Sequence, residues 1–130
     1  MTTFTRFEEI NSWKKARILN KHVYELTKRD SFSKDFDLIR QIRRSAGSTM
    51  DNIAEGFGRD GNAEFIQFLS ISKASAIEVQ SQLYRALDNE YIDQKTFDST
   101  YSIAEEVIKM NSALIKVLNQ TRKYGLKKSP

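Results

Sequence analysis

Residues 93–118 read DQKTFDSTYSIAEEVIKMNSALIKVL, and the spacing of their apolar side chains decides the fold. Phe97, Tyr101, Ala104, Ile108, Asn111, Ile115 and Leu118 recur at alternating intervals of four and three, the seam of a helix that buries one face. Asp93 stands where a carboxylate would accept the first free N–H groups of that helix. Beside the seam runs a second apolar stripe, Ile103, Val107, Met110, Leu114 and Val117. At about 100° per residue the two stripes together span roughly 160° of the helix. A helix in a solitary bundle keeps more of its surface polar, so the surplus reads as an oligomer interface; the alternative is that helices 1 and 3 cover it entirely.

The same period extends back through the chain. Phe65, Leu69, Ser72, Ala76, Val79, Leu83 and Ala86 form a third-helix seam, Trp13, Ala16, Leu19, Val23 and Leu26 a first, and Ile39, Ile42, Ala46, Met50, Ile53 and Phe57 a second. No stretch alternates with period two, so no strand is assigned. The spacing predicts helices over about 7–29, 36–56, 62–90 and 93–121, with a basic C-terminal tail over 122–130. The fold class that follows is all-α, a single-domain antiparallel up-down-up-down four-helix bundle. Folding helix 2 back on helix 3 about residue 59 or 60 sets Ala46 opposite roughly residue 73. SAGS (45–48) then faces SISKASA (70–76), a pairing of small residues that allows close backbone approach.

Composition narrows the function classes. The 130 residues contain no cysteine, which excludes thiol catalysis and cysteine metal sites. No apolar run approaches the roughly 20 residues that span a bilayer, and MTTFTRFEEI lacks the pattern of a signal peptide, so a soluble cytoplasmic protein is expected. The formal net charge is +4, yet residues 122–130 alone carry four basic residues and no acid. Removing them leaves 17 basic against 17 acidic residues, so the excess is a property of the tail. Within the remainder, residues 1–29 are basic, seven against three, and residues 61–92 acidic, two against four.

Residues 56–61, GFGRDG, spell the glycine pattern of a dinucleotide-binding turn. That turn must leave a buried strand, and the preceding STMDNIAE is helical, so the motif reads as a turn between helices 2 and 3. Gly56 or Gly58 is expected in the left-handed conformation that ends a helix, and Asn62 is expected to cap the next.

Trp13 and Ala16, then QIRRSAGSTMDNIAEGFGR at 41–59 and EFIQFLSIS at 64–72, resemble the 23S rRNA intervening-sequence proteins, a group also called S23. The resemblance covers about residues 7–118, and its structural signature comprises Trp13, Asn52, Glu55, Gly56, Gly58 and Phe65. The chain departs at Phe32-Ser33-Lys34-Asp35, where members often carry Phe-Pro followed by an acid. The resemblance implies a left-handed four-helix bundle that forms a ring-like homopentamer, without known enzymatic activity, and no cofactor is expected. The family is also similar to accessory proteins of diversity-generating retroelements, which work with a reverse transcriptase and nucleic acid.

Several side chains are candidates for contact with a partner. Arg40, Arg43 and Arg44 cluster early in helix 2, and Lys14, Lys15, Arg17 and Lys21 add charge on helix 1. With Arg59, these would meet RNA or DNA, or a nucleic-acid-handling protein, through phosphate-like contacts. The alternative is a protein–protein adaptor whose arginines close salt bridges with acids such as Asp37 and Asp51. A polar stripe, Gln41, Ser45, Ser48, Asn52, Glu55 and Arg59, is solvated, fastens the end of helix 2 to the loop or to a neighbouring subunit, or binds a ligand. A metal-dependent bundle enzyme is the weakest reading: His22 is the single histidine, and His22-x-x-Glu25 lacks the paired Glu-x-x-His motifs and inward carboxylates of a di-metal bundle.

Overall fold

The computed structural model describes residues 4–123, so most of the expected basic tail lies outside the described residues. A short 3-10 turn at Phe7–Glu9 precedes α1 (Asn11–Thr27), α2 (Phe36–Phe57), α3 (Asn62–Asp88) and α4 (Gln94–Lys123). Among the described residues there is no strand. The first helix starts later than the spacing predicts, because Glu9 turns back to accept the N–H and hydroxyl of Thr5 at 3.0 and 2.8 Å, and Ile10 is extended.

The helix ends have identifiable causes. The Asp35 carboxylate accepts the Leu38 N–H at 3.1 Å to start α2, and Asp93, as expected, accepts the Thr96 N–H at 2.8 Å to start α4. The α2–α3 turn corrects the sequence reading. Gly58 is right-handed at φ −75°, Gly56 lies inside α2, and the positive φ falls on Gly61, at +90°. Gly61 rather than Asn62 occupies the cap position, and the Asn62 amide instead reaches the Leu118 carbonyl at 3.5 Å. At the end of α3, Glu90 is left-handed at φ 62°, with its N–H on the Leu87 carbonyl at 3.0 Å and the Tyr91 N–H on Ala86 at 2.9 Å.

Each helix packs against the next, and α1 closes on α4, while the backbones of α1 and α3, and of α2 and α4, make no close approach. Four helices in that cyclic order form a four-helix bundle with α1 and α3 on one diagonal. Two apolar clusters fill it. One joins Leu19, Val23 and Leu26 to Ile42, Val79, Leu83 and Phe97; the other joins Ile10, Trp13 and Ala16 to Ile53, Phe65, Leu69 and Val107. Each fully buried Leu, Ile or Val contributes on the order of 1.5–3 kcal/mol relative to exposure.

The seam of α4 lies between the two stripes read from the sequence. Phe97, Thr100, Ala104, Val107, Asn111 and Leu118 are buried. Tyr101, Ile108 and Ile115 flank it on one side, where Tyr101 meets Tyr84 of α3 with ring centroids 6.1 Å apart. Met110, Leu114 and Val117 flank it on the other, in a groove shared with Phe4, Ile10 and Ser12. The broad apolar arc therefore has cover from α3 on one flank and from the N-terminal segment and α1 on the other. Val107, expected at an oligomer interface, is fully enclosed in the chain's own core.

The α2–α3 crossing is lined by small polar groups. Ser48 and Ser75 share a hydrogen bond of 2.8 Å, the Ser72 hydroxyl donates to the Thr49 carbonyl at 2.6 Å, and Asn111 of α4 donates to Ser72 at 3.0 Å. Asn52 donates to both the carbonyl and the hydroxyl of Ser48. The polar stripe of α2 thus faces α3 over its Ser45 to Asn52 portion.

Candidate interaction faces

Three of the predicted arginines, two on α2 and one in the turn after it, are engaged within the chain. The Arg40 guanidinium bonds the Asp37 carboxylate at 2.7 Å, both on the surface. Arg43 reaches across to α1, its Nε donating to Thr27 at 2.9 Å and its guanidinium carbon lying 4.3 Å from the centroid of the Tyr24 ring. Arg59 pairs with Glu55 at 3.3 Å, the favourable order four residues apart, and lies over the Phe68 ring at 5.0 Å. Arg44 is exposed and makes no ion pair among the described residues. The sequence placed Arg40, Arg43 and Arg44 in one cluster; the fold sends two of them to different partners.

On α1, Lys15 turns to α4 and pairs with Glu106 at 2.9 Å. Lys14, Arg17, Lys21 and Lys28 are exposed at intervals of three, four and seven, so they form one outer row. None of the four makes an ion pair among the described residues, although Arg17 lies 6.0 Å from the Trp13 ring. Ile18 and Tyr24 are exposed on the same face, with Glu25 its exposed acid.

The signature residues divide between packing and surface. Trp13 is buried, its ring edge-on to Phe7 at 5.0 Å. A Cβ placed on Gly56 would lie 2.7 Å from the Phe68 Cβ and 3.1 Å from the Phe65 ring, so a larger residue would push α2 and α3 apart. Phe65 is buried beneath that contact, Asn52 belongs to the α2–α3 hydroxyl network, and Glu55 and Gly58 are at the surface.

One outer face went unread in the sequence. On α3, Ile71, Ile77 and Tyr84 are 44, 48 and 51% exposed, on a strip that includes Ser70, Ala74 and Ser81. Glu64, Glu78 and Asp88 are exposed around it, and the exposed cation there, Arg85, is held by the Gln41 side-chain carbonyl of α2 at 3.0 Å. A second apolar row could have been counted on helix 3 as it was on helix 4.

At one end of the bundle, the Tyr91 hydroxyl donates to Asp35 at 2.8 Å beside exposed Phe36. The Leu38 N–H first and the Tyr91 hydroxyl second hold the Asp35 carboxyl below its usual range, and that hydrogen bond raises Tyr91 above its own. This geometry serves the α2 cap. His22 and Glu25 border a depression with Arg29, Lys95 and Thr96. Among the described residues no three His, Asp or Glu side chains gather where they could share a metal ion. No described helix is long and apolar enough to cross a membrane.

The model of the family described as 23S rRNA-intervening sequence protein matches residues 8–113. The chain belongs to that family. Within it, a crystal structure of a protein of unknown function from the S23 ribosomal protein family of Bacteroides thetaiotaomicron is similar, with 26% identity and a TM-score of 0.74. The match covers 81% of this chain and 98% of that one. A comparison with curated proteins finds no match. The family match takes in all of α1, α2 and α3, and so includes the signature residues Trp13, Asn52, Glu55, Gly56, Gly58 and Phe65.

Proposed function

We propose that the protein is a non-enzymatic, self-associating helical scaffold that acts in the cytoplasm as a protein–protein adaptor. Its bundle is antiparallel, up-down-up-down and left-handed, and the family resemblance extends this to a homopentameric ring. Cluster membership supports the alternation: the starts of α1 and α3 share one cluster and their later turns the other.

The observation that carries the adaptor reading is the distribution of exposed apolar side chains. Among the described residues, five of the six large ones, Ile18, Tyr24, Ile71, Ile77 and Tyr84, lie on the outer faces of α1 and α3. Protein partners bury such residues within a polar rim. Arg40, Arg43 and Arg59 are engaged inside the chain, which weakens the expectation of a phosphate-binding arginine cluster.

A second reading retains support from Lys14, Arg17, Lys21 and Arg44, exposed cations without acidic partners among the described residues. Repeated around an assembly, they would bind RNA or DNA through phosphates, in line with the resemblance to retroelement accessory proteins. Titration of structured RNA and duplex DNA at several salt concentrations separates the readings. Binding near about 50 mM salt that weakens steeply with added salt, and is lost when these four residues become Ala, would establish the nucleic-acid role. No binding there leaves the adaptor, whose self-association is measured by light scattering.

A further inference from the structure

Turning the chain uses only part of GFGRDG, and its last dipeptide carries a chemistry of its own. We infer that Asp60–Gly61 is a site of spontaneous covalent modification, at which the aspartate isomerises to isoaspartate and loosens the α2–α3 crossing beside it.

In the first step the Gly61 amide nitrogen attacks Cγ of the Asp60 carboxyl in its acid form. The new bond from nitrogen to Cγ closes a five-membered succinimide, the Cγ–OH bond breaks, and the hydroxyl leaves as water with the amide proton. Water then adds at the former Asp60 backbone carbonyl and breaks its bond to nitrogen. Gly61 is left joined through Cγ, and the old backbone carboxyl becomes the side chain. One water is released and one consumed, so the isomer keeps the mass of the starting chain and needs no other reactant. An amide nitrogen is a weak nucleophile, made effective here because it is held beside the carboxyl in the same short segment.

The fold leaves both reacting groups free. Asp60 and Gly61 are exposed, the Asp60 carboxyl has no hydrogen bond or ion pair among the described residues, and no acceptor meets the Gly61 N–H. The adjoining Arg59 is drawn back to Glu55 at 3.3 Å and to the Phe68 ring. Nothing lies within 4 Å of the Cβ position of Gly61, so the nitrogen is open to approach on that side. Elsewhere the fold withholds the same chemistry. Asp98–Ser99 and Asn111–Ser112 lie inside α4, where the attacking N–H belongs to the helix ladder. Asn111 is also fully buried, with its amide on Ser72 at 3.0 Å. Asp30–Ser31 stands in an exposed turn, but Ser31 carries a side chain held to the Tyr91 carbonyl at 2.7 Å.

The isomer has one more carbon in its backbone, about 1.5 Å of extra reach. That reach enters between two fixed ends. The Arg59 N–H closes on the Gly56 carbonyl at 3.2 Å, and the Phe65 N–H closes on the Gly61 carbonyl at 3.3 Å. Residue 60 is the link between them, and the tight contact of Gly56 with Phe65 and Phe68 lies just beyond. Lengthening the link lets Gly56 move off Phe68.

The test ages the whole chain in mildly acidic buffer and digests it with a protease that cuts after glutamate, which releases residues 56–64. Isoaspartate is read in that peptide by fragmentation across its Cα–Cβ bond, and in the intact protein with an isoaspartyl carboxyl methyltransferase and a labelled methyl donor. Deamidation of Asn62 in the same peptide changes the mass and is told apart. While the protein stays folded, isoaspartate should accumulate at residue 60 ahead of residues 30, 98 and 111. It should be lost in Asp60→Glu, whose longer side chain would have to close a six-membered ring, and should form faster in Asp60→Asn, which releases ammonia instead of water. The position is exposed, and circular dichroism checks that both variants fold. Aged wild type should melt below fresh wild type, whereas aged and fresh Asp60→Glu should melt together. In urea Asn111, freed from α4, should react as well. The inference is overturned if the 56–64 peptide of aged wild type holds no isoaspartate, or if Asp30 or Asn111 reacts in the folded chain as fast as Asp60. Isoaspartate at residue 60 with an unchanged melting midpoint overturns the loosening of the crossing.

Discussion

Gly56 and Phe68 approach so closely across the α2–α3 crossing that a Cβ on the glycine would stand 2.7 Å from the Cβ of the phenylalanine. Both atoms belong to or adjoin the backbone, so a flexible tip cannot swing away. Gly56→Ala is expected to cost about 1–3 kcal/mol through overpacking, more than the roughly 1 kcal/mol that alanine returns in helix propensity. Gly47, in the middle of α2, has nothing within 4 Å of the corresponding position. Gly47→Ala is accordingly expected to stabilise by about 0.5–1 kcal/mol. Urea unfolding of the two variants should give midpoint shifts of opposite sign, and shifts of one sign would refute the packing argument.

Glu90 holds a left-handed conformation at φ 62° where its side chain is exposed. A side chain in that region costs roughly 1–2 kcal/mol that glycine avoids, partly offset by the greater freedom of glycine when unfolded. Glu90→Gly should raise the thermal midpoint, whereas Glu90→Val should lower it. The N–H groups of residues 90 and 91 that close the end of α3 are retained in both variants.

Arg43 joins α2 to α1 through Thr27 and the face of Tyr24. Arg43→Lys keeps the charge but loses the planar stack and the Nε bond, and is expected to cost about 1 kcal/mol. Tyr24→Ala should remove part of the same energy, so a double-mutant cycle should show coupling between them. Additive losses would mean that the stacked geometry contributes nothing to stability.

Two helix caps predict an acid limit. The Leu38 N–H and then the Tyr91 hydroxyl hold the Asp35 carboxyl below its ordinary range, and the Thr96 N–H does the same for Asp93. A depressed folded value stabilises above the unfolded one, about 3.9, and is lost as pH falls through the folded value. Thermal melting from pH 7 to pH 2 should show wild type losing stability below about pH 4. Asp35→Asn/Asp93→Asn should start lower at pH 7 and show a smaller acid-induced loss, so that the two curves converge. Parallel curves would place the acid sensitivity elsewhere.

The presence of four helices was legible because Trp13 to Leu26 and Phe65 to Ala86 each carry one apolar row bounded by polar residues, although α1 runs over Asn11–Thr27 and not from about residue 7 to 29. The centre of α4 was not, since apolar residues continue on both sides of its buried line and spacing alone cannot tell the middle of a broad arc from its edges. The α2–α3 register is displaced by two to four residues from a fold about residue 59 or 60: Ser48 meets Ser75 and Thr49 meets Ser72, where that fold sets them near residues 71 and 70. The pivot falls close to Gly61, whose positive φ is a backbone property that the letters GFGRDG do not reveal. Among the candidate site residues, charge identified Arg43 and Arg59, but only the fold brings Tyr24, Thr27 and Phe68 beneath them. Ile71, Ile77 and Tyr84 were overlooked because the buried row of α3 already accounted for a complete amphipathic pattern.

The hydroxyls between α2 and α3 also give the bundle something its alanines cannot supply. Ala46 and Ala76 present smooth, nearly interchangeable surfaces, over which one helix could glide past the other with little steric resistance. Ser48, Thr49, Ser72 and Ser75 act as notches on that slide, because a displacement of a single residue would part both the Ser48–Ser75 and the Ser72–Thr49 bonds together. The alignment of this hairpin is thus indexed by directional polar contacts, and the outer faces inherit a fixed height along the bundle from that indexing.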